Sequence, residues 1–264
     1  MSQSRPAIVC STISVFAKPI EVAFAIIADA GFDGIEIMVT KDPDTQDAQR
    51  IHELAEDHDL PVAAIHAPFL LMTRRVWGVD PVGKIGRALE LAREVDAPLV
   101  VVHPPYRWQQ GYRRWLDEEL PRPPQGRTAV AVENMFPVRV RGRSVAFHAH
   151  QSLEELDRYP RVVLDTSHAA VAGLDPVEAL ERLGDRLAHV HLSNNAGRGW
   201  DSHLPLDRGV LDVGRFLDAL AARRFRGAVS LEIDLRPQMD DDGAVRDILV
   251  RDRDLCAERL GLAA

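Results

Sequence analysis

The sequence has only two cysteines, Cys10 and Cys256, in 264 residues. Two thiols cannot build a disulfide framework, so the expectation is a reducing compartment and a cytoplasmic protein. Cys256 also lies outside any metal-type spacing. Lysine is nearly absent: Lys18, Lys41 and Lys84 are the only ones, and arginine supplies the rest of the 32 basic residues. Acidic residues number 40, for a formal charge of −8. An acidic total argues against a general nucleic-acid coat, because a phosphate backbone asks for a basic footprint. No run of about 18 apolar residues occurs, so no membrane-spanning helix is expected. The stretch from Ala7 to Phe16 is short and broken by Ser and Thr. It reads better as a strand than as a signal-peptide core. Neither glycine-rich phosphate loop, G-x-G-x-x-G or G-x-x-x-x-G-K-S/T, is present, so a nucleotide-phosphate cradle is unsupported. No linker or low-complexity segment divides the chain.

What remains is an ordinary globular composition, 46% hydrophobic, in which short β-branched runs alternate with helical patterns. The strands read as Ala7–Val15, Gly34–Val39, Val62–Ala67, Pro98–Pro104, Ala129–Phe136, Val162–Ala169, Leu187–Asn194 and Ala228–Leu235. Helical patterns lie at Pro19–Ala30, Asp47–Asp57, Pro81–Val95, Pro176–Leu183, Leu211–Arg224 and Asp241–Leu260. Such alternation implies parallel strands joined by crossover helices. Eight repeats in a chain near 250 residues predict an α/β fold, a (β/α)8 TIM barrel in a single domain over residues 1–264. An open doubly wound sheet is the alternative. Two connections are long, Pro105–Arg127 after the fourth strand and Pro137–Gln151 after the fifth.

The ends of the strands carry the chemistry. His66 closes the third, His103 the fourth and Glu133 the fifth. Asp165 and His168 close the sixth, His189 and His191 the seventh, and Glu232 the eighth. Asp201 and His203 follow in the loop after the seventh. A single histidine in an apolar strand is most often a satisfied core residue. Six strands delivering a histidine or carboxylate at one height is different, because buried carboxylates repel and each lone buried charge costs several kcal/mol. A cluster of cations is the simplest way to tolerate them. Side-chain alternation puts His189 on the same face as His191 but one layer deeper, as packing or support behind the ligand. His148 and His150 sit in an arginine-rich loop and read as solvent-exposed, with contact to substrate as the alternative. His52 and His58 read as surface residues.

The segments HAPFLL, VVHPP, VENM, LDTSHAAVAGLDP, HLSNN and DSHLPLDRGVLD, in this order, resemble the xylose-isomerase-like TIM-barrel superfamily. That superfamily joins sugar isomerases and epimerases to the type 2 apurinic endonucleases (AP endonuclease family 2, endonuclease IV). The resemblance to endonuclease IV implies three divalent metal ions. His66, His103 and a bridging Glu133 would hold the first. Glu133, Asp165, His191 and Glu232 would hold the second, and His168, Asp201 and His203 the third. The set matching the one-metal sugar isomerases is Glu133, Asp165, His191 and Glu232, a subset of the nine.

The surplus donors favour a metal-dependent phosphodiesterase or phosphoesterase. Clustered cations there activate a metal-bridging hydroxide and clamp phosphoryl oxygens. The alternative is a metal-dependent sugar or sugar-phosphate isomerase or epimerase, with Glu133 and Glu232 as its acid–base pair. Donors of this type admit zinc, manganese or iron. Arg107, Arg139, Arg141 and Arg198 would meet a phosphate at the mouth, and Trp108 would stack on or close over a sugar. Tyr112 and Trp115 are further candidates for that stacking role; the alternative for all three aromatics is that they pack the insertion. A small phosphorylated polyol or sugar fits this mouth better than duplex DNA.

Overall fold

A computed structural model describes residues 5–262 except 17, 70–72, 123, 125, 141 and 142. Eight parallel strands close into a barrel: β1 (Ala7–Ser11), β2 (Gly34–Met38), β3 (Val62–His66), β4 (Leu99–Val102), β5 (Ala129–Glu133), β8 (Val162–Asp165), β9 (Leu187–Leu192) and β10 (Ala228–Leu231). They are neighbours in the order β1-β10-β9-β8-β5-β4-β3-β2, and the pairing of β1 with β10 completes the ring. Outside it, β6 (Val138–Val140) and β7 (Arg143–Val145) form an antiparallel hairpin in the long connection after β5. The connection after β4 holds helix α4 (Gln110–Glu119).

The remaining helices pack around the barrel: α1 (Ile20–Asp29), α2 (Ala48–Asp57), α3 (Pro81–Glu94), α5 (Leu153–Leu156), α6 (Thr166–Ala172), α7 (Pro176–Leu183), α8 (Val213–Ala222) and α9 (Asp242–Arg259). Aspartates start most of the long ones. Asp80 accepts the backbone N–H of Gly83, Asp175 those of Val177 and Glu178, Asp212 that of Arg215, and Asp241 that of Ala244. Proline follows the cap in α3 and α7, where its fixed φ suits the first helical position. Part of the acidic excess is therefore spent on helix caps.

Several strand ends need correction: the fourth, fifth, seventh and eighth strands stop at Val102, Glu133, Leu192 and Leu231, short of the expected Pro104, Phe136, Asn194 and Leu235. The first strand stops at Ser11, and Thr12–Val15 form a 3-10 turn. The sixth stops at Asp165 rather than running to Ala169. The Asp165 carboxylate accepts the N–H of His168 at 2.7 Å and so opens α6. His168 consequently stands on the first turn of a helix and not on a strand.

Side chains alternate along each strand. Ile35, Ile37, Ile65, Val100, Val102, Val130, Val132, Leu164, Val190 and Leu231 face outward into the main core beneath the helices. Burying each such aliphatic side chain contributes about 1.5–3 kcal/mol. Ala64, Leu99, Val101, Ala129, Ala131 and Val163 form a separate small cluster inside the barrel. Two residues further on from Ala64, Val101, Ala131 and Val163 come His66, His103, Glu133 and Asp165. The barrel is thus plugged at its base by small apolar groups and lined above them by ionisable ones.

Candidate metal centre

Glu133 stands at the middle of the polar layer. Its Oε2 lies 3.4 Å from Nε2 of His66 and 3.2 Å from Nε2 of His103. Its Oε1 lies 2.9 Å from Nδ1 of His191 and 3.5 Å from Nδ1 of His168. The same Nδ1 of His191 is 3.0 Å from Oε2 of Glu232 and 4.0 Å from Oδ2 of Asp165. Backbone carbonyls set the rings. His66 Nδ1 is 3.0 Å from the oxygen of Ala67, and His168 Nδ1 is 2.9 Å from that of Asn134. Each Nδ1–H is donated there, which leaves Nε2 facing the cluster. Tyr112, from α4, donates its hydroxyl to the carbonyl of His103 at 2.7 Å.

A second group adjoins the first. His168 Nε2 lies 3.3 Å, and His203 Nε2 2.7 Å, from Oδ2 of Asp201. His203 Nδ1 is 3.9 Å from Asp165 Oδ2 and 3.0 Å from the carbonyl of Glu232. The loop after β9 that carries Asp201 and His203 is pinned by Asn194. That side chain accepts the N–H of Leu211 and donates to the carbonyls of Leu206 and Leu211. The buried Asp252 of α9 accepts the N–H of Leu206 at 2.9 Å. Ser167 donates to Asp201 at 2.6 Å. His203 itself has φ 40°, in the left-handed region that few non-glycine residues adopt. All nine donors expected from the sequence are therefore brought into one connected cluster at the carboxyl end of the barrel.

The electrostatics are those of a site short of positive charge. Oε2 of Glu133, Oδ2 of Asp165 and Oε2 of Glu232 are buried with no hydrogen-bond donor. Burial pushes the carboxyls of Asp165 and Glu232 above the usual range. Burial works the same way on Glu133, but the charge of His191 and the other histidines close around it outweigh burial and hold that carboxyl well below. His168 and His191 are driven well above the ordinary histidine value: burial opposes this, and the neighbouring carboxylates overcome it. His203 is pushed up to about 10 against the same burial penalty, by Asp201 and Asp165. Four donor sets among the described residues lie close enough to share an ion, with ligand atoms within 4.8 Å of one another: His66, Glu133 and His191; Asp165, His168 and His203; Asp165, His191 and Glu232; and, one layer deeper, Glu36, His189 and His191. Orphaned carboxylate oxygens beside imidazoles without cysteine fit a divalent cation of the zinc, manganese or iron type.

One residue of the cluster escaped the reading of the sequence. Glu36, on the inner face of β2, is fully buried, 2.7 Å from Nε2 of His189 and 3.0 Å from Nε2 of His191. The signal was a lone charge between Ile35 and Ile37. His189 lies in this deeper layer, as its spacing implied. The exposed reading of His148 and His150 is wrong, since both are buried. His148 Nδ1 bonds the carbonyl of Pro104 at 2.8 Å and its ring stands edge-on to His103. His150 bonds the hydroxyl of Tyr159. His52 is exposed and pairs with Glu56.

The expected substrate contacts divide. Trp108 is 66% exposed, and its ring stacks on Tyr106, which stacks in turn on His148. This aromatic column leads from the surface to His103. Arg107 bonds the carbonyl of Ala146 at 2.9 Å through Nε, which ties the two long connections together. Arg198 lies over the ring of Trp200, in the loop after β9. Arg139 belongs to β6, and Arg141 lies outside the described residues. Tyr112 is buried in the core with its ring stacked on Phe69, and Trp115 is partly buried against that core. Among the described residues no helix is long and apolar enough to cross a membrane.

The family described as xylose isomerase-like TIM barrel matches this chain over residues 24–250. An uncharacterized protein of Mycobacterium leprae (strain TN) is 35% identical over 246 residues, 84% of this chain and 87% of its own length. A solved D-tagatose 3-epimerase-like protein superposes with a TM-score of 0.70 at 24% identity, over 96% of this chain and 99% of its own. An AP endonuclease, family 2, from Brucella melitensis superposes with a TM-score of 0.65 at 20% identity, over 89% of this chain and 96% of its own. At these identities the two superpositions are likenesses of fold.

Proposed function

The chain belongs to the xylose isomerase-like TIM-barrel family, and from that premise we propose that it is a metal-dependent isomerase or epimerase of a sugar or sugar phosphate. The observation that carries the reading is the pair Glu133 and Glu232. Their carboxylates approach the same Nδ1 of His191, at 2.9 and 3.0 Å, one from the end of β5 and one from just past β10. Their environments pull them apart, Glu133 toward the ionised form and Glu232 toward the protonated one. Two titrating groups separated in this way are the usual sign of an acid and a base. Glu133, Asp165, His191 and Glu232 would hold the cation, which would polarise the substrate carbonyl and offset the charge of the enolate.

The residues then do the proton work. Glu133, ionised, takes the proton from the carbon beside the carbonyl, so the C–H bond breaks and its electrons pass toward the carbonyl oxygen. Glu232 returns a proton, to the other face of that carbon in an epimerisation or to the neighbouring carbon in an isomerisation. The D-tagatose 3-epimerase-like neighbour supports this class of substrate, and the burial of Glu133, Asp165 and His191 supports the electrostatics. Positioned acid–base groups of this kind are worth about 10²–10⁴ in rate. The test is exchange in heavy water. The manganese-loaded protein should wash deuterium into a responsive ketose at the carbon beside its carbonyl, and Glu232→Gln should slow this by about 10²–10⁴. A panel of ketopentoses, ketohexoses and their phosphates with no exchange in any member would contradict the reading.

A second reading rests on a separate observation. His66, His103, His168, Asp201 and His203 lie around the same cluster, more donors than proton transfer at one ion requires. They suit a trinuclear phosphodiesterase or phosphoesterase acting on a small phosphorylated sugar or polyol. About three equivalents of metal, with release of p-nitrophenol from bis(p-nitrophenyl) phosphate, would favour hydrolysis. One equivalent, unchanged in His66→Ala and His203→Ala, would remove it.

A further inference from the structure

Glu36 has no place in either reaction. It is nonetheless fully buried on the inner wall of the barrel, on the far side of the His191 ring from Glu133 and Glu232. Its two oxygens are both used: Oε2 lies 2.7 Å from Nε2 of His189 and Oε1 lies 3.0 Å from Nε2 of His191. A carboxylate only accepts, so each Nε2 must donate. We propose that Glu36 is a positioning residue, which fixes Nε2 of His191 as the protonated nitrogen so that Nδ1 is the atom turned to Glu133, Asp165 and Glu232. This inference rests on reading that cluster as a metal centre.

Three observations support it. First, His191 has an acceptor at each ring nitrogen, and the two sets differ. At Nδ1 there are three carboxylates, each with an orphaned oxygen, whereas at Nε2 there is Glu36 alone with both oxygens occupied. A cation would therefore be shared on the Nδ1 side. Second, the strand pairings hold Glu36 in register. Glu36 pairs with Ala64 on β3 and with Ser11 on β1, and His191 pairs with Asp165 on β8 and with Ser230 on β10. The contact spans the barrel and is set by rigid strands. Third, His189 shares the same carboxylate, so the lower ring anchors the Glu36 side chain against rotation. A carboxylate behind a ligating imidazole orients the ring and raises its basicity, and losing such a partner typically lowers metal affinity about 10–100-fold.

The substitution Glu36→Gln is nearly isosteric and discriminates position from mere packing. A carboxamide offers one accepting oxygen and one donating nitrogen, so it satisfies only one of the two Nε2–H groups. Either His189 or His191 must then move its proton to Nδ1. In zinc-loaded wild-type protein labelled with 15N-histidine, long-range correlation spectra should show His191 with a proton on Nε2 and zinc on Nδ1. In E36Q the zinc affinity should fall about 10–100-fold, with loss of that single tautomer. Zinc on Nε2 in the wild type, or E36Q binding zinc as tightly with the same tautomer, overturns the inference. If E36Q does not fold, the wild-type spectrum decides. Wild-type protein that takes up no zinc would overturn the inference together with the metal-centre reading. Zinc uptake with an unaltered E36Q overturns the inference alone.

Discussion

The nine expected donors were readable because each stands at an inward-facing position near the carboxyl end of a strand, or in a short motif just past one. His66 after Ala64 and Glu133 after Ala131 carry that signal within their own strand. Glu36 does not. Its partners come from β9, more than a hundred residues away, and only barrel closure brings β2 and β9 face to face. His148 was misread for a similar reason: its burial depends on the Pro104 carbonyl and the Tyr106 ring, which belong to another connection. Tyr112, expected as a stacking surface, works instead from behind by fixing the His103 carbonyl. Removing its hydroxyl in Tyr112→Phe leaves that buried carbonyl without its donor. The expected loss is about 0.5–1.5 kcal/mol, read as a lower midpoint in urea with an unchanged slope. An unchanged midpoint would show that the bond contributes nothing.

The eight strands and most helices were legible from alternation alone, while their ends were not. The sixth strand was read through Ala169 because Val162–Ala169 is almost continuously small or apolar. The competing signal was Asp165 itself, an aspartate three residues before His168 and thus a helix cap. That cap moves His168 onto α6 and turns it toward Asp201. The loop after β9 likewise depends on tight backbone contacts. Gly209 has φ 121°, and a Cβ there would fall 2.4 Å from Oδ1 of Asn194 and 2.5 Å from the carbonyl of Asn195. Gly209→Ala should therefore displace the Asn194 side chain and loosen the segment bearing Asp201 and His203. Backbone strain of this kind costs on the order of 1–3 kcal/mol. Thermal melts should show the loss, and hydrogen exchange should show reduced protection concentrated between 194 and 211. Uniform loss of protection across the barrel would point to a different cause.

For the molecule as a whole, the formal charge of −8 counts several groups that are not on its surface. Glu36, Glu133 and Asp165 are buried, and Glu232 and Asp201 are largely so. Histidines neutralise part of this charge, and a bound cation would neutralise more. Metal binding is then coupled to proton release, with a definite sign. His203 is raised to about 10, and His168 and His191 well above their ordinary value, so in the metal-free protein all three hold protons at neutral pH. A cation must displace those it meets. Affinity should therefore rise from pH 6 toward pH 9, by up to about tenfold per pH unit for each proton released. Titration calorimetry in buffers of different ionisation enthalpy measures the protons directly, and a pH-independent affinity would contradict the assigned protonation. The central claim is that the Glu133 cluster is a metal centre, and elemental analysis of protein purified without chelator tests it most directly. The account predicts at least one equivalent of zinc, manganese or iron in the wild type, lost in His191→Ala. Protein free of metal that takes up none when manganese or zinc is supplied would contradict it.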